Sequence, residues 1–472
     1  MNTQHRDGDP CLIDTHKKDI NVSGNVSSPT GLFDVTEAID RRFSPLQKMM
    51  YVLAALAMIL DGFDGQLIGF AIPSIMKEWG VTREAFSTAV ASGLFGMAIG
   101  SVAAGYIADR IGRRLLLVAS VFLFGGATVL IGFAPDVGAI TAIRFFAGLG
   151  IGAALPSAST MTAEYTPKRL RTLAVSATII CYPLGGMLAG LFAGQMLPAA
   201  GWRPLFFVGG AIPMVYAVVL FFTLGESPRY LARVQARWEE LRAILARMAI
   251  EVPAGLGFHD GQQEESGEQR ATFSTLFSAA YLRDTAGMWI CFFMTLLSIY
   301  SAFSWLPTML TAEGLSPKLA GMGLTAYNLG GVIGAIACAI AINRYGSRAS
   351  MMVFCLMAVV TAFALKGVDV RTDTDTFLLG LGVHGLFMNA VQTTSYALCA
   401  HLYPTWMRAT GTASALSFGR LGAILSSFVG ASVITAGGAT AYLNLLGGSM
   451  IISLVGLALI KNHIPRNEKV AA

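Results

Sequence analysis

The sequence predicts an all-α membrane protein with twelve transmembrane helices arranged as two six-helix halves. Three observations carry this. Of 472 residues, 54% are apolar and only 13% charged, with 28 acidic and 33 basic side chains. An ordinary soluble domain carries roughly 25% charge, so this chain lacks the ionic surface to stay dissolved. The apolar residues fall in continuous runs long enough for ~20-residue spans rather than in alternating segments of ~10, which excludes a transmembrane β-barrel. The basic residues gather on one side of those runs.

Apolar runs between charged or Pro/Gly breaks predict helices near 49–73, 84–108, 115–134, 139–163, 172–197 and 204–225, then near 284–310, 318–342, 349–366, 376–401, 409–435 and 439–461. The expected organisation is a polar tail over 1–48, a six-helix bundle over 49–225, a polar linker over 226–283, a second bundle over 284–461 and a tail over 462–472. The first tail holds Asp7, Asp9, Asp14, Lys17, Lys18 and Asp19, with no cleavable signal, so the first span is expected to stay as an anchor. The linker holds Arg233, Arg237, Glu239, Glu240, Arg242, Arg247, Glu264, Glu265 and Glu268. Its first part, Pro228 to Met248, has the pattern of an amphipathic helix on a membrane surface, although a plain linker is the simpler reading.

One side collects Arg41, Arg42, Lys48, Arg110, Arg113, Arg114, Lys168, Arg169, Arg171, Arg344, Arg348, Arg408, Lys461, Arg466 and Lys469, with the linker arginines; the other holds only Lys77, Arg83, Arg203, Lys318, Lys366 and Arg371. The bias predicts both termini in the cytoplasm, and it accounts for the net charge of +5 without a nucleic-acid partner. Cys11, Cys181, Cys291, Cys338, Cys355 and Cys399 form no CxxC pair or His/Cys cluster, so neither a disulfide framework nor a metal is expected, and no other cofactor is indicated. No nucleophile triad or P-loop appears, which argues against an enzyme.

Two echoes link the halves. Asp109-Arg110-Ile111-Gly112-Arg113-Arg114 recurs in weakened form as Asn343-Arg344-Tyr345-Gly346-Ser347-Arg348, at an offset of 234. Glu164-x-x-Pro167-x-x-x-Arg171 recurs as His401-x-x-Pro404-x-x-x-Arg408, at an offset of 237. Parallel repeats of six helices with a central site near the bilayer midplane are a transporter architecture. In the first loop Gly112 permits a tight turn, and Asp109, Arg110, Arg113, Arg114, Glu164 and Arg171 can form a charged latch. Asn343 and Ser347 weaken the copy that holds Arg344, Arg348 and Arg408.

Asp61 and Asp64 in the first span share a helix face at i, i+3. An ionised side chain at mid-membrane costs about 2.5–3.5 kcal/mol on insertion scales, so each needs a purpose or a partner. Burial favours the protonated form of a carboxyl group, as proton coupling requires; one of the two can equally be a structural ion-pair partner. Arg420 and Arg144 are the other formal charges well inside spans. A guanidinium matches a carboxylate in bidentate fashion. Arg420, in the opposite half from the aspartates, is the first choice for a substrate carboxylate, and Arg144 either shares that role or pairs with an aspartate. Asn389, Gln392 and Tyr396 make a polar stripe at i, i+3, i+7 that either reads substrate substituents or joins helices. Tyr327, Asn328, Tyr300 and Trp305 are candidate lining residues, and His384 reads as a packed core histidine. Gly93, Gly96, Gly100, Gly148, Gly150 and Gly152 read as close-packing surfaces.

The stretch Gly105-Tyr106-Ile107-Ala108-Asp109-Arg110-Ile111-Gly112-Arg113-Arg114 resembles the loop signature of the major facilitator superfamily. Asp61-Gly62-Phe63-Asp64, Arg144 to Pro156, Arg408-Ala409-Thr410-Gly411-Thr412 and Gly419-Arg420-Leu421-Gly422-Ala423 resemble its aromatic acid:proton symporters. The resemblance implies a bacterial inner-membrane carrier, working as a monomer, that takes up a benzoate-like aromatic carboxylate with protons by alternating access. Another organic acid, such as the dicarboxylate muconate, is the alternative. Glu226-Ser227-Pro228-Arg229 is shared with sugar porters, but their paired glutamines in the seventh span are missing; a drug antiporter's Gly-Pro-x-x-Gly-Gly is replaced by Tyr182-Pro183-Leu184-Gly185-Gly186.

Overall fold

The computed structural model describes residues 31–253, 255–261 and 273–466. Cys11, Asp7, Asp9, Asp14, Lys17, Lys18, Asp19, Glu264, Glu265, Glu268 and Lys469 lie outside them. The first half comprises α2 (Pro45–Trp79), α3 (Arg83–Ile111), α4 (Arg113–Ile131), α5 (Val137–Tyr165), α6 (Lys168–Ala200) and α7 (Trp202–Thr223). The second comprises α10 (Leu282–Ala312), α11 (Pro317–Tyr345), α12 (Ser347–Ala364), α13 (Thr374–Leu402), α14 (405–436) and α15 (439–459).

Ten described stretches are long and apolar enough to cross a membrane. Two effects separate that number from twelve. The last 55 helical residues would span about 80 Å at 1.5 Å each, far beyond a ~30 Å hydrocarbon layer. They break at Gly437 and Gly438, where φ reaches +57°. α13 has the required length, but His384, Asn389, Gln392, Thr394 and Ser395 dilute its apolar character. α2 begins before the apolar run because Ser44 and Gln47 form a capping box ahead of Pro45.

In the first half α2 packs along α5 and α6, α3 along α5, and α4 between α5 and α7; in the second, α10 lies along the last two helices and α11 along α13. The predicted glycine surfaces explain the closeness. A Cβ at Gly96 would strike the Phe145 carbonyl, at Gly100 that of Leu149, at Gly148 that of Gly93, and at Gly152 that of Met97. Between halves, α6 packs on α11, α3 on α14 and α2 on α10. Glu84 accepts a 2.6 Å hydrogen bond from Thr435 at the end of the bundle opposite the basic loops.

The segment expected as a linker is folded over much of its length. Pro228 to Met248 is not one surface helix but two, α8 (Pro228–Arg233) and α9 (Trp238–Arg247), whose Leu231, Leu241, Ile244 and Leu245 are buried within the protein. Strand β1 (Leu32–Asp34) pairs in parallel with β2 (Gly257–His259), in register Phe33 to Phe258, and leads into α1 (Val35–Asp40). Asp260 anchors this small unit through Arg229 (3.1 Å), Arg233 (2.5 Å) and the Thr36 hydroxyl (2.9 Å).

Candidate functional site

A cavity lies between the halves, walled largely by apolar and aromatic side chains. Asp61 of α2, Met97 of α3, Leu155 of α5 and Tyr182 of α6 line it from the first half; Tyr300 and Phe303 of α10, Asn389, Gln392, Thr393 and Tyr396 of α13 and Arg420 of α14 line it from the second. Four aromatic rings therefore share one space with one carboxylate and one guanidinium.

The partners of the two charged groups are informative. Arg420 donates to the Met97 sulfur at 2.6 Å and to the Tyr300 hydroxyl at 2.9 Å, both uncharged. Its charge is thus held by weak acceptors that a carboxylate can displace. Asp61 is 1% exposed, and its Oδ1 has no hydrogen-bond partner among the described residues. The Gln392 amide accepts from Thr295, and its Nε2 has no hydrogen-bond partner among the described residues. Asn389 donates to the Gly385 carbonyl at 3.0 Å. A cavity with one acid, one base, amide donors and apolar walls can orient a flat, mostly apolar anion.

The motif around Asp61 explains itself in these contacts. A Cβ at Gly62 would collide with the Tyr182 carbonyl, and one at Gly65 would come 2.8 Å from the Tyr182 hydroxyl, so the two glycines seat α6 against α2. Asp64, one turn beyond Asp61, lies outside the cavity lining with Thr128 and Arg144 as polar neighbours. Arg144 also lies outside it, folded against α3; a Cβ at Gly93 would come 3.1 Å from its Nε.

The family model of the Major Facilitator Superfamily matches residues 54–365 and 288–472. The chain belongs to the Major Facilitator Superfamily. Similar superfamily members include the 4-hydroxybenzoate transporter PcaK of Pseudomonas aeruginosa, 36% identical across 84% of this chain and 88% of the relative. The gallate transporter of Pseudomonas putida is 32% identical across 90% and 92%. Among solved structures, the partially occluded inward-open xylose transporter XylE from E. coli aligns with a TM-score of 0.70 at 18% identity, covering 89% of this chain and 99% of that one, a likeness of fold. The chain is a multi-pass membrane protein of this superfamily.

The superfamily loop between α3 and α4 has the expected charges in an unexpected arrangement. Arg113 pairs with Asp109 at 2.7 Å and with Glu164 at 3.7 Å, and donates to the Ala108 carbonyl at 3.1 Å. Glu226 accepts the backbone N–H of Arg113 (2.9 Å) and Arg114 (3.1 Å), capping α4. Gly112, at φ +93°, supplies the turn that lets this carboxylate approach. Arg114 donates instead to the Phe221 carbonyl, Arg110 stacks on Tyr106 at 4.1 Å, and Arg171 lies 3.7 Å from Asp40. In the second half Arg344 faces the ring of Tyr345 at 5.4 Å, while Arg348 and Arg408 are exposed.

Asp61, Arg420, Asn389, Gln392, Tyr396 and Tyr300 thus meet at one cavity. Tyr327, Asn328 and Trp305 are buried elsewhere: Tyr327 packs edge-on to Phe303, Trp305 lies against Gly430, and Asn328 bonds to Gln66. His384 is fully buried, its Nδ1 within 3.2 Å of Thr361 and 3.1 Å of the Ala358 carbonyl. Met97, Tyr182, Phe303 and Thr393 are lining residues that sequence reasoning passed over; only the Tyr182-Pro183 break in an apolar run marked any of them.

Proposed function

We propose that this protein is a proton-coupled carrier of a benzoate-like aromatic carboxylate, with Arg420 binding the carboxylate and Asp61 carrying the proton. Relatives named as 4-hydroxybenzoate, gallate and benzoate transporters support the cargo class. The observation that carries the reading is the Arg420 guanidinium, held by a thioether and a phenol, opposite an under-bonded carboxylate in an aromatic cavity.

Charge balance supplies the coupling. Empty, Asp61 and Arg420 neutralise each other across the cavity. Loaded, the anion neutralises Arg420 and the proton neutralises Asp61. Either half-loaded state leaves a net charge in a poorly hydrated interior, which is penalised. The carrier therefore turns over empty or with both ligands. Aromatic walls favour the ring, and Asn389 and Gln392 are positioned to bond its substituents. Asp64, whose two carboxylate oxygens have no hydrogen-bond partner among the described residues, lies outside the cavity with Arg144 as a neighbouring charge and does not touch cargo in this reading.

One proton with one monocarboxylate moves no net charge, so one pH unit supplies about 1.4 kcal/mol, or tenfold accumulation. A second proton adds about 2.3 kcal/mol per 100 mV. The basic loops face the cytoplasm of a bacterial inner membrane, with both termini inside, and one chain suffices for transport. Uptake of labelled 4-hydroxybenzoate into proteoliposomes under separately imposed pH and voltage gradients tests the proposal. Accumulation should follow the inward-directed proton gradient, and uptake indifferent to pH would overturn it.

A further inference from the structure

Gln66 lies two residues after Asp64, yet it does not line the cavity. Its amide accepts from the Asn328 amide at 2.7 Å and donates back at 3.3 Å, so the two side chains form a reciprocal pair between the halves. Both are buried, at 1% and 0% exposure. Asn328 also donates to the Leu324 carbonyl at 3.1 Å, which fixes its orientation, and Gly186 leaves the space that the Gln66 amide fills.

The contacts beyond this pair all run toward the end where Glu84 meets Thr435. Gly69 abuts the Phe303 backbone, Gly190 abuts Thr325, and Gly321 faces Phe70 at 3.6 Å. Asp61, five residues earlier on α2, faces the open cavity. The amide pair is therefore the first polar contact between halves below the ligand space. Alternating access requires the contacts on the sealed side to part when the cavity turns over.

The geometry points to Gln66 and Asn328 as a positioning pair that lies beyond the cavity and holds the end bearing Glu84 and Thr435 closed until turnover. This rests on the carrier reading above and adds the regulation of its site. An amide pair suits the task. It is satisfied while closed, carries no charge to strand when it parts, and its donors and acceptors can be met by water on the opened side.

The test uses the full chain carrying Glu84→Cys and Thr435→Cys, with a short bifunctional thiol reagent and mass spectrometry of the peptides joining 84 and 435. Removing an interhelical hydrogen bond in a membrane protein shifts an equilibrium by roughly threefold, so cross-linking should fall about three- to tenfold in Gln66→Leu or Asn328→Leu. The single variant Gln66→Asn shortens one arm and should lose cross-linking, while Gln66→Asn with Asn328→Gln restores the pair and should recover it. If the leucine variants do not fold, the shortened and swapped amides decide the matter alone. Cross-linking unchanged in every variant, or a swap no better than Gln66→Asn, overturns the inference. The readout needs no cargo, so loss of cross-linking in a protein that does not take up aromatic acids would refute the cargo reading and leave the clasp standing.

Discussion

The two halves solve the same turn with different chemistry. Gly112 and Gly346 each place a positive φ, +93° and +81°, between two spans, and in each case a helix begins at the next residue. In the first half the new helix is capped by the Glu226 carboxylate, and Arg113 is held by Asp109 and Glu164. In the second half the cap is the segment that follows α15. The Ser347 N–H donates to the Ile464 carbonyl at 2.9 Å, and the Ser347 hydroxyl accepts from the Ile464 N–H at 2.8 Å. The backbone geometry outlived the charges, because a turn of this shape needs glycine whatever caps the helix, whereas a cap needs only an acceptor. The same division runs through the site. The first half contributes the acid, Asp61, and the second contributes the base, Arg420.

The largest effects should come from that division. Asp61→Asn removes the proton carrier while keeping the side-chain shape; its loaded state stays neutral but its empty state strands the Arg420 charge, so proteoliposomes should still exchange external for internal cargo but lose proton-driven accumulation. Arg420→Lys keeps the charge but loses the planar fork, and cargo affinity should weaken by about 1.5–3 kcal/mol, roughly ten- to a hundredfold, measured by calorimetry in detergent. Retention of concentrative uptake in Asp61→Asn would break the assignment of acid to one half and base to the other.

How far the sequence foretold this depends on the kind of contact. Apolar runs marked the spans because a bilayer imposes one length scale on every helix, and the Gly437-Gly438 break showed as a pair of helix breakers. The three-residue pairing of Leu32–Asp34 with Gly257–His259 was invisible, since its partners are far apart in the chain and neither strand has a period of its own. In the site, an i, i+3 spacing separates two side chains by about 60° around the axis, and the cavity edge falls within that angle. Asp61 therefore faces cargo space and Asp64 faces Arg144. Met97, Tyr182 and Phe303 read as ordinary membrane residues, because an aromatic or thioether side chain in an apolar run looks the same whether it faces lipid or ligand.

The turns provide the next contrast. Alanine in either glycine position meets a backbone conformation essentially restricted to glycine, at about 1–3 kcal/mol. Gly112→Ala also drives a Cβ into the Glu226 carboxylate and costs the cap, whereas Gly346→Ala comes no nearer than 3.2 Å to the Ile464 carbonyl and 3.4 Å to the Arg466 N. Thermal unfolding in detergent should therefore show Gly112→Ala as the more destabilised by about 1–2 kcal/mol. Equal losses would mean that Glu226 contributes little beyond filling space. Glu226→Gln isolates the charge, and its smaller loss of about 1 kcal/mol should have no counterpart in Ser347→Ala beyond that of an ordinary cap.

The smallest and most discriminating effect is in acid. Burial lowers the pKa of His463 below its ordinary 6.5, and the nearby Arg348 lowers it further. Its Nδ1 lies 3.2 Å from the Ser347 hydroxyl, which already accepts from the Ile464 N–H, so a neutral ring can take the hydroxyl's own proton and a protonated ring cannot. A folded pKa below the unfolded one means that protonation favours the unfolded state. The contribution is complete above about pH 6.5 and is lost as pH falls below it. In the folded linker the comparable group is Asp260: burial alone would raise its pKa, but the hydrogen bonds from Arg233 and Arg229 outweigh that and hold it below 3.8. That contribution survives until the pH approaches 4. Between pH 7 and 5 the clasp on the second half should therefore loosen first, by less than about 1 kcal/mol after solvent screening. Hydrogen-exchange protection, taken relative to the intrinsic rate at each pH, should fall at 461–466 and around Ser347 in this window while protection at 32–34 and 257–259 stays constant, and His463→Gln should remove the step. A step that persists in His463→Gln would assign the acid response to another group and separate the two turns by charge alone.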